Sequence, residues 1–168
     1  MILIIIYTII SFLLDGLISN YMPVDINNLS YLTTIYSVIS IIIIYNYFEN
    51  EQKYIKIITI LAFFFDIIYT NTFPLNIIIF ITIYLIEKVL NYYIPNNIFT
   101  INIKTLLGIT IYYSLSYIIL LLVHYNKYPI SILYITLYKN IIMTIIYTTI
   151  SYIIIKKLYN KYYDKKIK

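Results

Sequence analysis

The chain has 168 residues, of which 62% are hydrophobic and 11% are charged, with a formal net charge of +5 and no cysteine. A soluble domain carries about 25% charged residues, so these proportions exclude a soluble enzyme, a nucleic-acid-binding domain and a disulfide-stabilised secreted domain. The composition predicts an integral, all-α membrane protein. Its basic charge is then expected to come from lysines at the membrane borders.

Apolar stretches predict the membrane-spanning helices in chain order. A helix needs about 20 apolar residues to cross roughly 30 Å of hydrocarbon. Asp66 is the only charged residue between Ile57 and Glu87. One helix of this length would be ~45 Å long, which is too long for a single membrane crossing. A break at residues 70–74 divides the stretch, with Thr72 expected to cap the next helix and Pro74 to lie in its first turn. The first five predicted spans are residues 1–18, 29–48, 54–69, 73–90 and 103–123.

The last apolar stretch leaves two interpretations open. Residues 130–155 are interrupted by Lys139 and Asn140. They form either one long tilted helix or an interfacial segment followed by a span from residue 141. A basic tail, residues 156–168, follows and is expected to be cytoplasmic, so the chain is predicted to be a single six-span membrane domain. The first span lacks a basic segment and a cleavage site, and it is expected to remain as an anchor.

The distribution of lysines predicts the orientation. With six spans, the side shared by both termini carries most of the twelve lysines, whereas the other side has Lys127 and Lys139. Because lysine-rich loops remain in the cytoplasm, both termini are expected inside. The basic tail is also expected to contact anionic lipid headgroups.

Two acids inside apolar stretches, Asp15 and Asp66, are the principal candidate residues. A carboxylate in a transmembrane helix usually faces a partner or a cavity, and both acids lie near the outer ends of their spans. Asp66 is expected either to accept the unpaired N–H groups at the start of the fourth span, clamping that hairpin, or to pair with Lys139. A water-facing acid is the alternative interpretation for both.

Small and polar residues are the other expected helix contacts, because helices in lipid associate through such residues. They are Ser37, Ser40, Asn76, Gly108, Ser114 and Ser116. The sequence contains one histidine, no cysteine and no recognisable catalytic, phosphate-binding or metal-ligand motif. We therefore predict no catalytic residue, no metal and no cofactor.

Residues 61–76, followed by an apolar span, resemble the MreD family of rod-shape-determining membrane proteins. The resemblance is carried by Asp66, then Tyr69 and Thr70, then a short turn at Asn71 that leads into the next helix and Asn76. The length, the six predicted spans and the lysine-rich C-terminus are similar to that family as well. Lys139 lies near a position where members often carry a basic residue.

The resemblance implies a non-enzymatic scaffold of the cell-elongation complex in the bacterial cytoplasmic membrane. The implied partners are a bitopic MreC-like protein and, through the complex, a RodA-type polymerase and a class B penicillin-binding protein that build peptidoglycan. The family is also similar in fold to the substrate-binding S-components of energy-coupling-factor vitamin transporters. An S-component is therefore the second expectation, although it needs a small-residue face on the first span, where the sequence offers Gly16.

Overall fold

The computed structural model describes residues 2–21, 34–48, 50–124 and 129–167, and within these residues it is helical with no strand, which confirms the all-α prediction for this part of the chain. The elements are α1 (Ile2–Tyr21), α2 (Tyr36–Tyr45), α3 (Glu51–Phe65), a π-helical turn (Asp66–Thr70), α4 (Leu75–Tyr93), α5 (Ile98–Leu122) and α6 (Ile130–Ile167).

Three helices are long and apolar enough to cross a membrane: α4, α5 and the part of α6 from Ile130 to Lys161. Two further apolar helices, in α1 and α2, are shorter. Large apolar side chains point outward on the peripheral helices, where Leu13 is 54% exposed and Ile142 is 52% exposed. Such a continuous apolar surface is suited to hydrocarbon rather than to water.

The helix ends differ in places from the predicted spans. The second predicted span began at residue 29, whereas α2 begins at Tyr36; residues 29–33 lie outside the described residues. The fifth was expected from residue 103, but α5 begins at Ile98 because Asn97 caps it. The Asn97 side chain accepts a hydrogen bond from the Thr100 N–H at 2.8 Å, and the Thr100 hydroxyl accepts one from the Asn97 N–H at 2.9 Å.

The last apolar stretch is one continuous helix, so the first of the two open interpretations describes the structure. α6 has 38 residues and is therefore ~57 Å long. It passes through Lys139 and Asn140 without a break, because neither residue removes a backbone hydrogen-bond donor. The basic tail from residue 156 continues the same helix as far as Ile167.

α2 is the centre of the bundle. Its residues 36–44 are all buried, and it packs against α1, α4, α5 and α6, while α3 packs on α4. Successive helices alternate in direction. The ends of α1 and α3 meet the starts of α2 and α4 at what we call the Asp15 end, and the end of α4 meets the start of α5 at what we call the Lys104 end.

Candidate functional site

Asp66 opens the π-helical turn, is fully buried and bonds to the first turn of α4. Its Oδ1 accepts hydrogen bonds from the Asn76 main-chain N–H at 3.0 Å and from the Asn76 side-chain amide at 2.9 Å. Its Oδ2 accepts one from the Ile77 N–H at 3.4 Å. The first N–H groups of a helix have no partner within the helix, and their positive end favours a carboxylate. This is the geometry expected of a hairpin clamp.

The Asp66 network reaches α5 through Asn76. The Asn76 amide also donates to the Thr70 hydroxyl at 2.9 Å, and its carbonyl oxygen accepts from the Tyr112 hydroxyl at 2.7 Å. Three predicted candidates (Asp66, Thr70 and Asn76) are thus brought together with a residue that sequence reasoning missed. Tyr112 is one of 23 tyrosines, so residue type alone gave no signal for it.

The turn between α3 and α4 differs from the prediction in its cap. Thr72 does not cap α4: the capping position is Pro74, which makes no side-chain cap bond. The Thr72 hydroxyl instead donates to Thr70 at 2.8 Å and to Asp66 at 3.4 Å. Asn71 is exposed and has a φ of 51°, a left-handed conformation that asparagine tolerates better than most residues. The Asp66 carboxylate therefore takes the capping role expected of Thr72.

Asp15 has the same relation to α2 that Asp66 has to α4. Its Oδ1 accepts a hydrogen bond from the Tyr36 N–H at 2.8 Å, and its Oδ2 accepts one from the Ser37 N–H, also at 2.8 Å. The position before α2, Ile35, offers no side-chain cap. A carboxylate from the preceding helix therefore satisfies these donors, a role that was not assigned to Asp15 from the sequence.

Tyr69 connects the two carboxylate sites. Its hydroxyl donates to the Phe12 carbonyl oxygen of α1 at 2.8 Å, and its ring lies 4.7 Å from the Phe12 ring, centroid to centroid. A Cβ atom on Gly16 would lie 2.5 Å from the Tyr69 oxygen. The glycine of α1 thus faces the bundle, where it allows close packing of Tyr69.

Lys139 does not pair with Asp66, contrary to the second option raised from the sequence. The ion pairs formed between described residues are Lys88–Glu51 at 2.7 Å and Lys104–Glu87 at 3.8 Å. Asp66 does not need a lysine partner, because both of its carboxylate oxygens accept hydrogen bonds from donors of α4. Lys139 is half-buried on α6.

A buried ion pair at the Lys104 end was missed by the sequence analysis. Lys104 and Glu87 are 1% and 2% exposed. The Lys104 ammonium also donates to Asn91 Oδ1 at 2.8 Å and to Asn96 Oδ1 at 2.6 Å, and the Asn91 amide donates to Glu87 Oε1 at 2.5 Å. Buried charges persist when they are paired and hydrogen-bonded in this way. The sequence feature that could have indicated this ion pair is the position of Glu87, an acid inside a predicted span.

A second, exposed ion pair lies nearby at the start of α3. The Glu51 carboxylate accepts hydrogen bonds from Lys88 and from the Tyr84 hydroxyl. Lys88 beside Glu51 holds the pKa of this carboxyl below its usual value, with a further contribution from Tyr84. The two pairs join α3, α4 and α5 at this end.

Comparison with protein-family models, with curated proteins and with solved structures finds no match for this chain. The candidate site is therefore defined by geometry: the Asp66 network, with Asp15 and Tyr69 beside it. Its polar groups bond mainly to one another and to helix starts. Such an arrangement holds helices in fixed positions.

Proposed function

We propose that this chain is a non-enzymatic, multi-pass scaffold of the bacterial cell-elongation complex. In this role it binds an MreC-like bitopic protein in the cytoplasmic membrane and supports lateral peptidoglycan synthesis and cell shape. One observation carries the proposal: within the stretch that resembles the MreD family, Asp66 joins α3 to α4 and, through Asn76 and Tyr112, to α5. The polar residues of that stretch thus fit a structural role.

The outward face of the same hairpin is apolar, as contact with a partner's transmembrane helix requires. Phe64 is 47% exposed, Ile68 is 57% exposed and Phe73 is 62% exposed, while the polar side chains of Asp66 and Asn76 are buried. Helices in lipid associate by close packing on rigid surfaces. The Asp66 network supplies that rigidity, so we assign the partner contact to this face.

In this proposal the chain crosses the membrane six times, with both termini in the cytoplasm. The alternation of helix direction supports it, as does the clustering of Lys88 and Lys104 at one end. Because the chain has no cysteine, Asn71→Cys and Gln52→Cys each introduce one exposed thiol, at opposite ends. We expect a membrane-impermeant maleimide to label Asn71→Cys in intact cells and Gln52→Cys only after lysis. The reverse pattern would contradict the orientation.

Partner binding is tested by co-expression with an MreC-like protein and affinity capture of this chain. We expect capture with the wild type and reduced capture with Asp66→Asn, whereas the matched control Asn71→Gly, in the same exposed turn, captures normally. A single cysteine at Phe64 should crosslink to the partner, and one at Ile142 on α6 should not. No capture by the wild type would contradict the proposal.

The second expectation, a transporter S-component, has less support. It needs small residues on the outer face of the first span, and Gly16 instead faces Tyr69 inside the bundle. A vitamin-binding pocket also needs free polar groups, whereas the oxygens of Asp66 are occupied by donors from α4. Submicromolar vitamin binding by the purified chain would reverse this ranking.

A further inference from the structure

The aromatic side chains that face outward lie near the two ends of the bundle. Among the residues whose side chains the structure describes, the largely exposed aromatic ones are Phe63, Phe64, Phe73, Tyr92, Tyr93, Phe99, Tyr134 and Tyr138. The three phenylalanines at the start of this list belong to the α3–α4 hairpin at the Asp15 end. We call Tyr92, Tyr93 and Phe99 the Lys104-end belt, and Tyr134 and Tyr138 the Asp15-end belt.

Between the two belts the outward side chains are aliphatic. The exposed large side chains of α6 that follow Tyr138 are isoleucines as far as Leu158. Tyr147, in the same stretch, packs against the Tyr36 ring at 4.6 Å, and Tyr152 is buried. Tyrosine makes up 23 of the 168 residues, so composition alone would spread exposed tyrosines over the whole surface. Their restriction to the two ends therefore needs a physical cause.

The border between hydrocarbon and water supplies that cause. An aromatic ring with a hydroxyl group places its apolar body against the acyl chains and its polar tip among water and headgroups, and such residues are enriched at both membrane borders. A tyrosine hydroxyl that faced the middle of the hydrocarbon would lack a hydrogen-bond partner, which is unfavourable. Tyr92 and Tyr138, 82% and 67% exposed, are therefore suited to the two borders.

The separation of the belts is close to the thickness of a bilayer core. The Asn102 amide bonds to the Thr149 hydroxyl at 3.0 Å, so these residues of α5 and α6 lie at one height. Phe99, three positions before Asn102, is then level with the position three after Thr149. Tyr134 and Tyr138 lie ~27 and ~21 Å from that level. Because helical side chains lean toward the helix N-terminus, the rings of the two belts lean apart, toward a separation of about 30 Å.

The charged residues of α5 and α6 agree with these two levels. No charged residue occurs on α6 between Lys139, beside the Asp15-end belt, and Lys156, and these two lysines are ~26 Å apart along the helix. The ammonium of Lys104 reaches back to the turn beside Phe99, where it donates to Asn96 Oδ1 at 2.6 Å and to the Ile94 carbonyl oxygen at 3.2 Å. Long cationic side chains near helix ends extend to the border in this way.

We propose that the two belts bind the headgroup regions of the two bilayer leaflets and thereby fix the depth of the bundle in the membrane. The lipid bilayer is the partner of this surface. Its hydrocarbon core lies between the belts, and its centre lies near Ile146 of α6. The inference is independent of the scaffold role, because it concerns lipid contact by the chain alone.

The test measures the depth of single tryptophans in the full chain, reconstituted in phosphatidylcholine vesicles. Because the chain has no tryptophan, Tyr92→Trp, Tyr138→Trp and Ile146→Trp each introduce one fluorophore, and all three positions are exposed. The probes are lipids that carry bromine, a quencher of tryptophan fluorescence, either near the headgroup or near the end of the acyl chain. Ile146→Trp is the matched control on the same helix as Tyr138→Trp.

We expect Tyr92→Trp and Tyr138→Trp to be quenched more strongly by bromine near the headgroup, and Ile146→Trp by bromine near the chain end. The depths of the two belt tryptophans should sum to about 30 Å. If either belt variant does not fold, Phe99→Trp or Tyr134→Trp reports on the same belt. The proposal would be overturned by a belt tryptophan as deep as that of Ile146→Trp. It would also be overturned by a belt tryptophan that neither lipid quenches, the result for a surface in water or under another protein chain.

Discussion

Asp66 and Asn76 lie ten positions apart, and the carboxylate of the first accepts hydrogen bonds from both the main chain and the side chain of the second. Asp15 holds the start of α2 through two main-chain N–H groups in the same manner. Neither α2 nor α4 has a side-chain cap of its own. In each hairpin, therefore, the preceding helix supplies the anion that completes the next helix.

Asp66→Asn should destabilise the chain. The amide keeps one acceptor oxygen, so a buried α4 donor loses its partner and the helix start loses its negative charge. We expect the free energy of unfolding to fall by about 2 kcal/mol, measured by reversible unfolding in mixed detergent micelles. Asn71→Gly, in the same turn with its φ of 51°, should leave the stability unchanged. Equal stability of Asp66→Asn and the wild type would rule out the clamp.

Asp15→Asn should loosen α2 locally. Loss of the carboxylate weakens the acceptor for the Tyr36 and Ser37 N–H groups, and substitution of a capping residue typically costs about 1 kcal/mol. Amide hydrogen exchange at these two positions should accelerate, while exchange in α4 stays as in the wild type. Unchanged protection at Tyr36 and Ser37 would show that another group holds the start of α2.

Gly16→Ala should be destabilising because of Tyr69. The new methyl group would lie 2.5 Å from the Tyr69 oxygen, so the ring must shift and its 2.8 Å bond to the Phe12 carbonyl must lengthen. We expect a loss of about 1–3 kcal/mol. In a double-mutant cycle with Tyr69→Phe, the double variant should lose less than the sum of the single losses. The rescue by Tyr69→Phe should be partial, because two Tyr69 ring carbons would still lie 2.8 and 2.9 Å from the new methyl group. Strictly additive losses of stability would contradict the contact between Gly16 and Tyr69.

Lys104→Met should destabilise the chain more than any of the substitutions above. It leaves the Glu87 carboxylate, 2% exposed, buried without its cation, which typically costs about 3–5 kcal/mol. Adding Glu87→Gln should restore much of the stability, since the remaining groups are then neutral. Lys88→Met, which breaks the exposed pair with Glu51, is the matched control and should have little effect. If the double variant were no more stable than Lys104→Met alone, the result would argue against the Lys104–Glu87 ion pair.

The Glu51–Lys88 pair should contribute to stability in a pH-dependent way. Because Lys88 lowers the pKa of Glu51 in the folded chain, folding favours the ionised carboxylate. Its contribution is complete above the pKa of an unfolded glutamate, about 4.3, and is lost as the pH falls through the lower, folded value. The difference in unfolding midpoint between wild type and Glu51→Gln should therefore shrink as the pH is lowered toward about 3. A difference independent of pH would contradict this linkage.

Several features of this chain could be predicted because they depend on neighbouring residues. The break near Pro74 and the positions of Asp15 and Asp66 near the ends of their helices follow from local hydropathy. The contact of Asp66 with the start of α4, one of the two options raised for it, follows from the unpaired groups at a helix start. The continuity of α6 was left open, because Lys139 and Asn140 are compatible with a helix or with a border. Glu87 was overlooked although its position inside an apolar stretch was visible.

The sequence by itself indicated a membrane environment and helical secondary structure. A chain this rich in apolar residues must form its backbone hydrogen bonds within helices when it lies in hydrocarbon. The tertiary structure alone decided which polar side chains meet. Tyr112 reaches Asn76 from 36 positions away, and Thr144 reaches Thr34 from 110 positions away. Residues so far apart in the sequence meet only when their helices pack with a particular rotation and direction. That packing depends on many weak contacts that leave no local pattern in the sequence.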